Sequence, residues 1–166
     1  MSHFVYRSLF TLPVIVAGFL MLAAPATPQT SNPKPKIVPK LEPIAETKLL
    51  MEGLANANFR GLDRLLQKKP DEAQAWVFAR GQALLIAETA NLLMLRPPRK
   101  EGQAAWFERA MALRSTASQL AQTIGKRDYE GTRAGLVALA NSCNRCHQTF
   151  RVSVEIAPFA PDATDK

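Results

Sequence analysis

Apolar residues recur at helical spacing along four stretches of this chain, and no strand-like alternation or fixed repeat competes with them. The clearest set is Thr132, Leu136, Leu139, Cys143, Cys146/His147 and Phe150, at alternating steps of four and three. That spacing lines up one face of an α-helix. Asp128 supplies its N-cap and Glu130 an acid for its first turn. Trp106, Ala110, Leu113, Ala117, Leu120 and Ile124 repeat the pattern, and Gly125 follows as the expected C′ glycine. Trp76, Ala79, Ala83, Ile86, Ala90 and Leu93 repeat it between Pro70, Asp71 and Glu72 on one side and Pro97 and Pro98 on the other. A first helix is expected after Pro43, with Ile44, Met51 and Leu54 inward. Its pattern loosens at residues 56–58, so residues 59–67 are expected to continue it beyond a bend.

Four such helices with short connections predict an all-α fold, an antiparallel four-helix bundle over residues 44–156. Trp76 and Trp106 are its large core fillers. Many seam positions are alanine, and small residues either bring helices together or leave room for something large between them. The spacing alone leaves both open.

The N-terminus predicts the compartment. Arg7 is the only charge in residues 1–26, residues 9–24 are an almost unbroken apolar run, and Ala24, Pro25 and Ala26 close it with a small-x-small pattern. A basic start, an apolar middle and such an end describe a secretory signal peptide over residues 1–26. With no twin-arginine pair, export is expected to be of the Sec type, into the periplasm. No cysteine follows the run, so lipid anchoring is excluded, and a membrane contact is expected only if the segment stays uncleaved. Residues 27–43 carry Pro28, Pro33, Pro35, Pro39 and Pro43 interleaved with Lys34, Lys36 and Lys40, an extended tether. Residues 157–166 read as a tail. The exported form holds 20 Lys+Arg against 14 Asp+Glu, a surplus of six. Its basic residues are scattered without interleaved aromatics, so no nucleic acid is expected as a partner.

Cys143 and Cys146 are the only cysteines, and His147 follows the second directly. Three chemistries use a Cys-x-x-Cys pair: dithiol exchange, zinc ligation and covalent haem attachment. Exchange needs a thiolate, which a helix N-terminus favours. Here the pair lies fifteen residues beyond Asp128, towards the negative end of the helix, with no β-α-β pattern before it. Structural zinc needs four ligands, but the only other histidine, His3, falls in the signal segment. Haem attachment uses the whole stretch: the thiols add across two vinyl groups and His147 supplies the proximal iron nitrogen. One covalent haem c, with its iron, is therefore the expected cofactor.

The run Cys143-x-x-Cys146-His147-x-x-Phe150-Arg151 near the end of a four-helix pattern resembles the cytochrome c′ family. Asp128, Tyr129 and the small-residue run up to Ser142 are similar too. The resemblance covers roughly residues 44–154, its specific part residues 142–151. It implies a c-type haem held between the helices, His147 below the iron, Arg151 beside the haem on the proximal side and a first-helix side chain above. The family often pairs through its first two helices, so a homodimer is also implied. Beside this, Arg151 reads as a cation at a helix C-terminus, and Phe150 as packing on the ring or the core. Asn144 and Arg145 are expected to point away from the seam, Arg145 as a solvated charge.

The sixth iron position decides the function. His147 is the only histidine of the exported chain, which excludes bis-histidine ligation and a peroxidase-like distal histidine and argues against an enzyme. Met51 fits the inward stripe of the first helix and is the candidate ligand; it also reads as a core filler. Leu50 or Leu54 could instead cover an open site. Met94 and Met111 read as packing residues. Two functions stay open: an electron carrier with His147 and Met51 on iron, docking with a small redox protein, and a haem protein that binds nitric oxide or carbon monoxide.

Overall fold

A computed structural model describes residues 40–159, and they form an all-helical bundle. The expected signal peptide, residues 27–39 of the expected tether and residues 160–166 lie outside the described residues.

Helix α1 (Thr47–Leu50) passes without a break into a π-helical turn (Met51–Asn56) and on into α2 (Ala57–Leu65). The inward residues explain the wider turn. Leu50 and Ala55 are both buried yet five apart, whereas Ala55, Phe59, Leu62 and Leu66 follow at steps of four and three. One residue too many for an α-turn is absorbed by i→i+5 geometry, and the apolar face stays aligned on both sides. Asn58 Nδ2 donates to the Leu54 carbonyl at 2.7 Å within this irregular stretch. The irregularity expected at residues 56–58 falls instead at Met51–Asn56, as a π turn that leads directly into α2. Ile44 is not part of the inward stripe: it precedes α1 and is 92% exposed. Leu50, 5% exposed, takes the inward place, while Met51 and Leu54 pack half-buried on the core edge.

The long helices are α3 (Ala73–Met94), α4 (Gln103–Gly125) and α5 (Tyr129–Thr149). Their buried residues include the expected seams from Trp76 to Leu93, from Ala110 to Ile124, and Thr132, Leu136 and Leu139, but Trp106, expected as a core filler, is half-buried at the core edge. Backbone packing is most extensive between α3 and α4, where Ala79, Ala83, Ala90, Ala110 and Ala117 are almost completely buried. Alanines at these positions let backbones approach, so the seam serves close contact there. Between α4 and α5 the close approach rests on Gly135, where a Cβ would come within 2.9 Å of Leu120 Cδ1. Large side chains fill the remaining core, led by Leu62, Leu66, Ile86, Leu120, Ile124, Leu136 and Leu139. Each such burial contributes about 1.5–3 kcal/mol.

The helix ends locate the chain reversals. Asp128 caps α5, its carboxylate accepting from the Gly131 amide at 3.0 Å. Gly125 is not a C′ residue: it is the last residue of α4, and the left-handed conformation falls on Arg127, with φ 56°. Keeping Gly125 helical keeps Ile124 in the core, and the reversal is made next to Asp128. The first rod packs on α3 through α2 and the π turn, but no comparable backbone packing joins α2 or the π turn to α5 among the described residues. Side chains bridge that flank at one end. The Leu66 carbonyl accepts from Tyr129 Oη at 3.1 Å and Arg133 Nη1 at 2.6 Å, and the Phe159 amide donates to Asp63 Oδ1 at 2.8 Å.

Candidate functional site

The last two turns of α5 carry Cys143, Cys146 and His147 on the continuation of its buried face. All three are half-buried, and both cysteines are free thiols. Burial pushes the Cys143 thiol up to about 12, with the nearby Cys146 adding to the effect. Burial also raises Cys146, opposed by the Arg109 guanidinium. Both thiols stay protonated at neutral pH, the opposite of what an exchange cysteine requires.

His147 is held by the chain that follows it. Its Nδ1 lies 2.7 Å from the Val154 carbonyl oxygen. A carbonyl can only accept, so Nδ1 carries a proton, and in the neutral ring Nε2 then keeps its lone pair. That is the tautomer a metal-ligating histidine takes when its second nitrogen is oriented by a backbone carbonyl.

Phe150 meets Trp106 edge to face, with ring centroids 5.1 Å apart. It also covers Gly102, whose φ of 84° favours glycine and whose Cβ, if present, would lie 3.4 Å from the ring. Phe150 therefore packs on the core edge at the entry to α4. Arg151 has a backbone role that its charge did not suggest. With φ 56° it is the left-handed residue of a Schellman-type helix end: its amide donates to the Gln148 carbonyl at 3.3 Å and Val152 donates to the His147 carbonyl at 2.8 Å. Its side chain is exposed.

Met51 belongs to the same end of the bundle. There Arg96 Nε donates to the Ala45 carbonyl at 3.1 Å, Trp106 Nε1 to the Leu93 carbonyl at 2.7 Å, and Arg109 Nε to Thr149 Oγ1 at 3.3 Å. Met51 stands one turn beyond Thr47 and His147 less than one turn before Phe150, so both lie within about 10 Å of that end along their helices. Leu50 is the more buried of the two neighbours on the first rod. Met94 packs half-buried against the core, but Met111 is exposed rather than packed. A cleft of about 460 Å³ opens nearby, between Pro43, Glu46, Leu95, Arg96 and Arg99. It is lined by neither cysteine nor by His147.

Asn144 departs from expectation. It does not simply face outward: its Nδ2 donates to the Ile156 carbonyl and its Oδ1 accepts from the Ile156 amide, both at 2.8 Å. No residue pattern announced this extended segment: of its apolar residues Val152 and Val154 are exposed, and only Ile156 packs against the core. The chain remains attached as far as Phe159, inside the stretch expected as a tail. Arg145 is exposed, as a solvated charge should be. Comparison with models of known families, with curated proteins and with solved structures yields no match.

Proposed function

We propose that this chain is an exported c-type cytochrome that carries electrons through one covalently attached haem, on an antiparallel four-helix bundle of the cytochrome c′ kind. The observation that carries the reading is His147, whose Nδ1–H is bonded to the Val154 carbonyl so that Nε2 is left to donate, one residue after the second cysteine. Met51 and His147, each within about 10 Å of the same end of the bundle along its helix, support a place for the group at that end. Cys143 and Cys146 would form the two thioethers, His147 would supply the proximal nitrogen and Met51 the sixth ligand. Bound there, haem would supply one-electron chemistry at its iron. The chain's own task is to hold a neutral imidazole in one orientation and to surround it with apolar side chains, which disfavour the ferric charge. A small redox protein would dock briefly at the haem edge, where a small interface suffices.

Residues 1–26 would direct Sec export to the periplasm and residues 27–43 would tether the bundle. The implied homodimer gains support from an exposed apolar stripe on α3, formed by Val77, Phe78, Leu84 and Leu85.

A second reading rests on Leu50, more deeply buried than Met51 on the same rod. If Leu50 covers the iron, the sixth position is open and the protein binds nitric oxide or carbon monoxide.

Absorption spectra of the purified exported chain separate these readings. A low-spin ferrous spectrum unmoved by carbon monoxide supports the carrier; a high-spin spectrum that shifts with the gas supports the binder. Haem that stays attached when both cysteines are replaced by serine would sink both.

A further inference from the structure

The segment after α5 is built as a strap over His147. The left-handed Arg151 turns the chain at the helix end, and Val152 bonds the His147 carbonyl at 2.8 Å. Val154 then presents its carbonyl to the His147 ring at 2.7 Å. Two residues later Ile156 is gripped at both its amide and its carbonyl by the single side chain of Asn144. Farther on, Phe159 donates to Asp63 and lies under the Arg133 guanidinium, 3.6 Å from the ring centroid. Val154 itself is exposed, and no side chain of its own anchors it. Its carbonyl is therefore positioned by its neighbours, of which the Asn144 grip on Ile156 is the nearest.

We infer that Asn144, the residue directly after the first cysteine, is a positioning residue for His147, holding the strap so that the Val154 carbonyl fixes the ring with Nδ1 protonated and Nε2 free. The inference builds on the haem reading, since a fixed Nε2 matters for a metal ligand. Its geometry stands without it. A carboxamide suits the task because it offers one donor and one acceptor in one plane, matching the amide and carbonyl of a single backbone residue. Aspartate keeps only the acceptor and alanine neither. A strap so held also raises the basicity of the ligating imidazole, as a carbonyl or carboxylate behind a metal-bound histidine does.

The test is made on the full-length chain without haem, by nitrogen NMR of the His147 ring in the unaltered protein, Asn144→Ala, Asn144→Asp and Phe159→Ala. The unaltered protein should show the Nδ1–H tautomer. Asn144→Ala should move the ring towards the Nε2–H form that an unconstrained imidazole favours and speed exchange of the Ile156 amide at least tenfold. Asn144→Asp should give a partial shift. It serves as the decisive variant if circular dichroism shows that the alanine protein does not fold. Phe159→Ala loosens the strap beyond the grip and should leave the tautomer unchanged. In the haem-loaded chain, Asn144→Ala should raise the reduction potential, since a less basic imidazole stabilises the ferric iron less. A ring that keeps Nδ1–H in the folded Asn144 variants, while the Ile156 amide exchanges faster, overturns the positioning role. Failure of the unaltered chain to take up haem would overturn the functional reading and leave the tautomer result standing.

Discussion

Arg133→Met should destabilise the protein by about 2 kcal/mol, because Arg133 makes one contact to the first rod and one to the segment after α5. Its Nη1 donates to the Leu66 carbonyl at 2.6 Å, and its guanidinium lies 3.6 Å from the centroid of Phe159. Leu66 closes α2, so its carbonyl is one of those a helix end leaves without an intrahelical partner. A hydrogen bond from a charged donor contributes about 1.5–3 kcal/mol net. The low end applies, because Arg133 is half-buried and Tyr129 Oη still reaches the same oxygen at 3.1 Å. The stacked cation adds about 0.5–1 kcal/mol. Methionine retains an apolar stem against the ring, so the packing loss is small. Urea denaturation of the full chain, at unchanged m-value, reads the difference. Tyr129→Phe alone should cost about 0.5–1 kcal/mol, the worth of a neutral hydrogen bond. The double variant should cost more than the sum, since it leaves a buried carbonyl bare. A loss below about 0.5 kcal/mol for Arg133→Met would refute the reasoning, as that is the spread of a surface substitution.

Other consequences concern the site. In the haem-free chain, burial holds Cys143 at about 12 against an ordinary 9.0, so the folded state keeps a proton that the unfolded chain gives up. The stabilisation this represents is complete below pH 9.0 and is lost as pH rises towards 12. Alkali denaturation of Cys143→Ala should be less steep over that window, and iodoacetamide should modify Cys146 before Cys143, as mass spectrometry of the labelled peptides would show. Arg151→Gly should be tolerated or stabilising by up to about 1 kcal/mol, since glycine takes the left-handed conformation without steric cost. A loss above that in thermal melts would give the Arg151 side chain the structural role. Met51→Ala in the haem-loaded chain should turn a low-spin iron high-spin, and an unchanged absorption spectrum would remove Met51 as ligand.

The long helices were legible because their burial is periodic: the seams of α3, α4 and α5 are the residues that the steps of three and four select. The first rod was legible only in part. Ile44 fits the same arithmetic, yet it precedes the helix, and the five-residue step from Leu50 to Ala55 reads as a break when the chain in fact widens one turn. Gly125 shows a similar limit. Glycine marks a C′ position only when the next helix leaves it free, and here the turn falls on Arg127, beside the cap of α5. Cys143, Cys146 and His147 were proposed as a site from spacing, because a five-residue pattern lies in one local stretch. Asn144 and the Val154 carbonyl were not. A carbonyl has no residue type to read, and the value of Asn144 depends on a strap that returns only twelve residues later.

The alanine seams, which spacing left with two meanings, divide by location. Ala79, Ala83 and Ala90 on α3 and Ala110 and Ala117 on α4 are buried on the two helices whose backbones pack most extensively. There they remove side-chain volume so that two helices can touch. On α5 the small residues give way, beyond Ser142, to two thiols and an imidazole that stay half-buried. The first rod, which carries the π turn and half-buried Met51 and Leu54, has no comparable backbone packing on α5 among the described residues. The flank is then tied at one end by Tyr129, Arg133 and Phe159, and the strap that carries the tie also carries the carbonyl on His147. Because the Asn144 grip on Ile156 lies between the tie and that carbonyl, a perturbation of the tie should loosen the far end of the strap and leave the His147 ring in place.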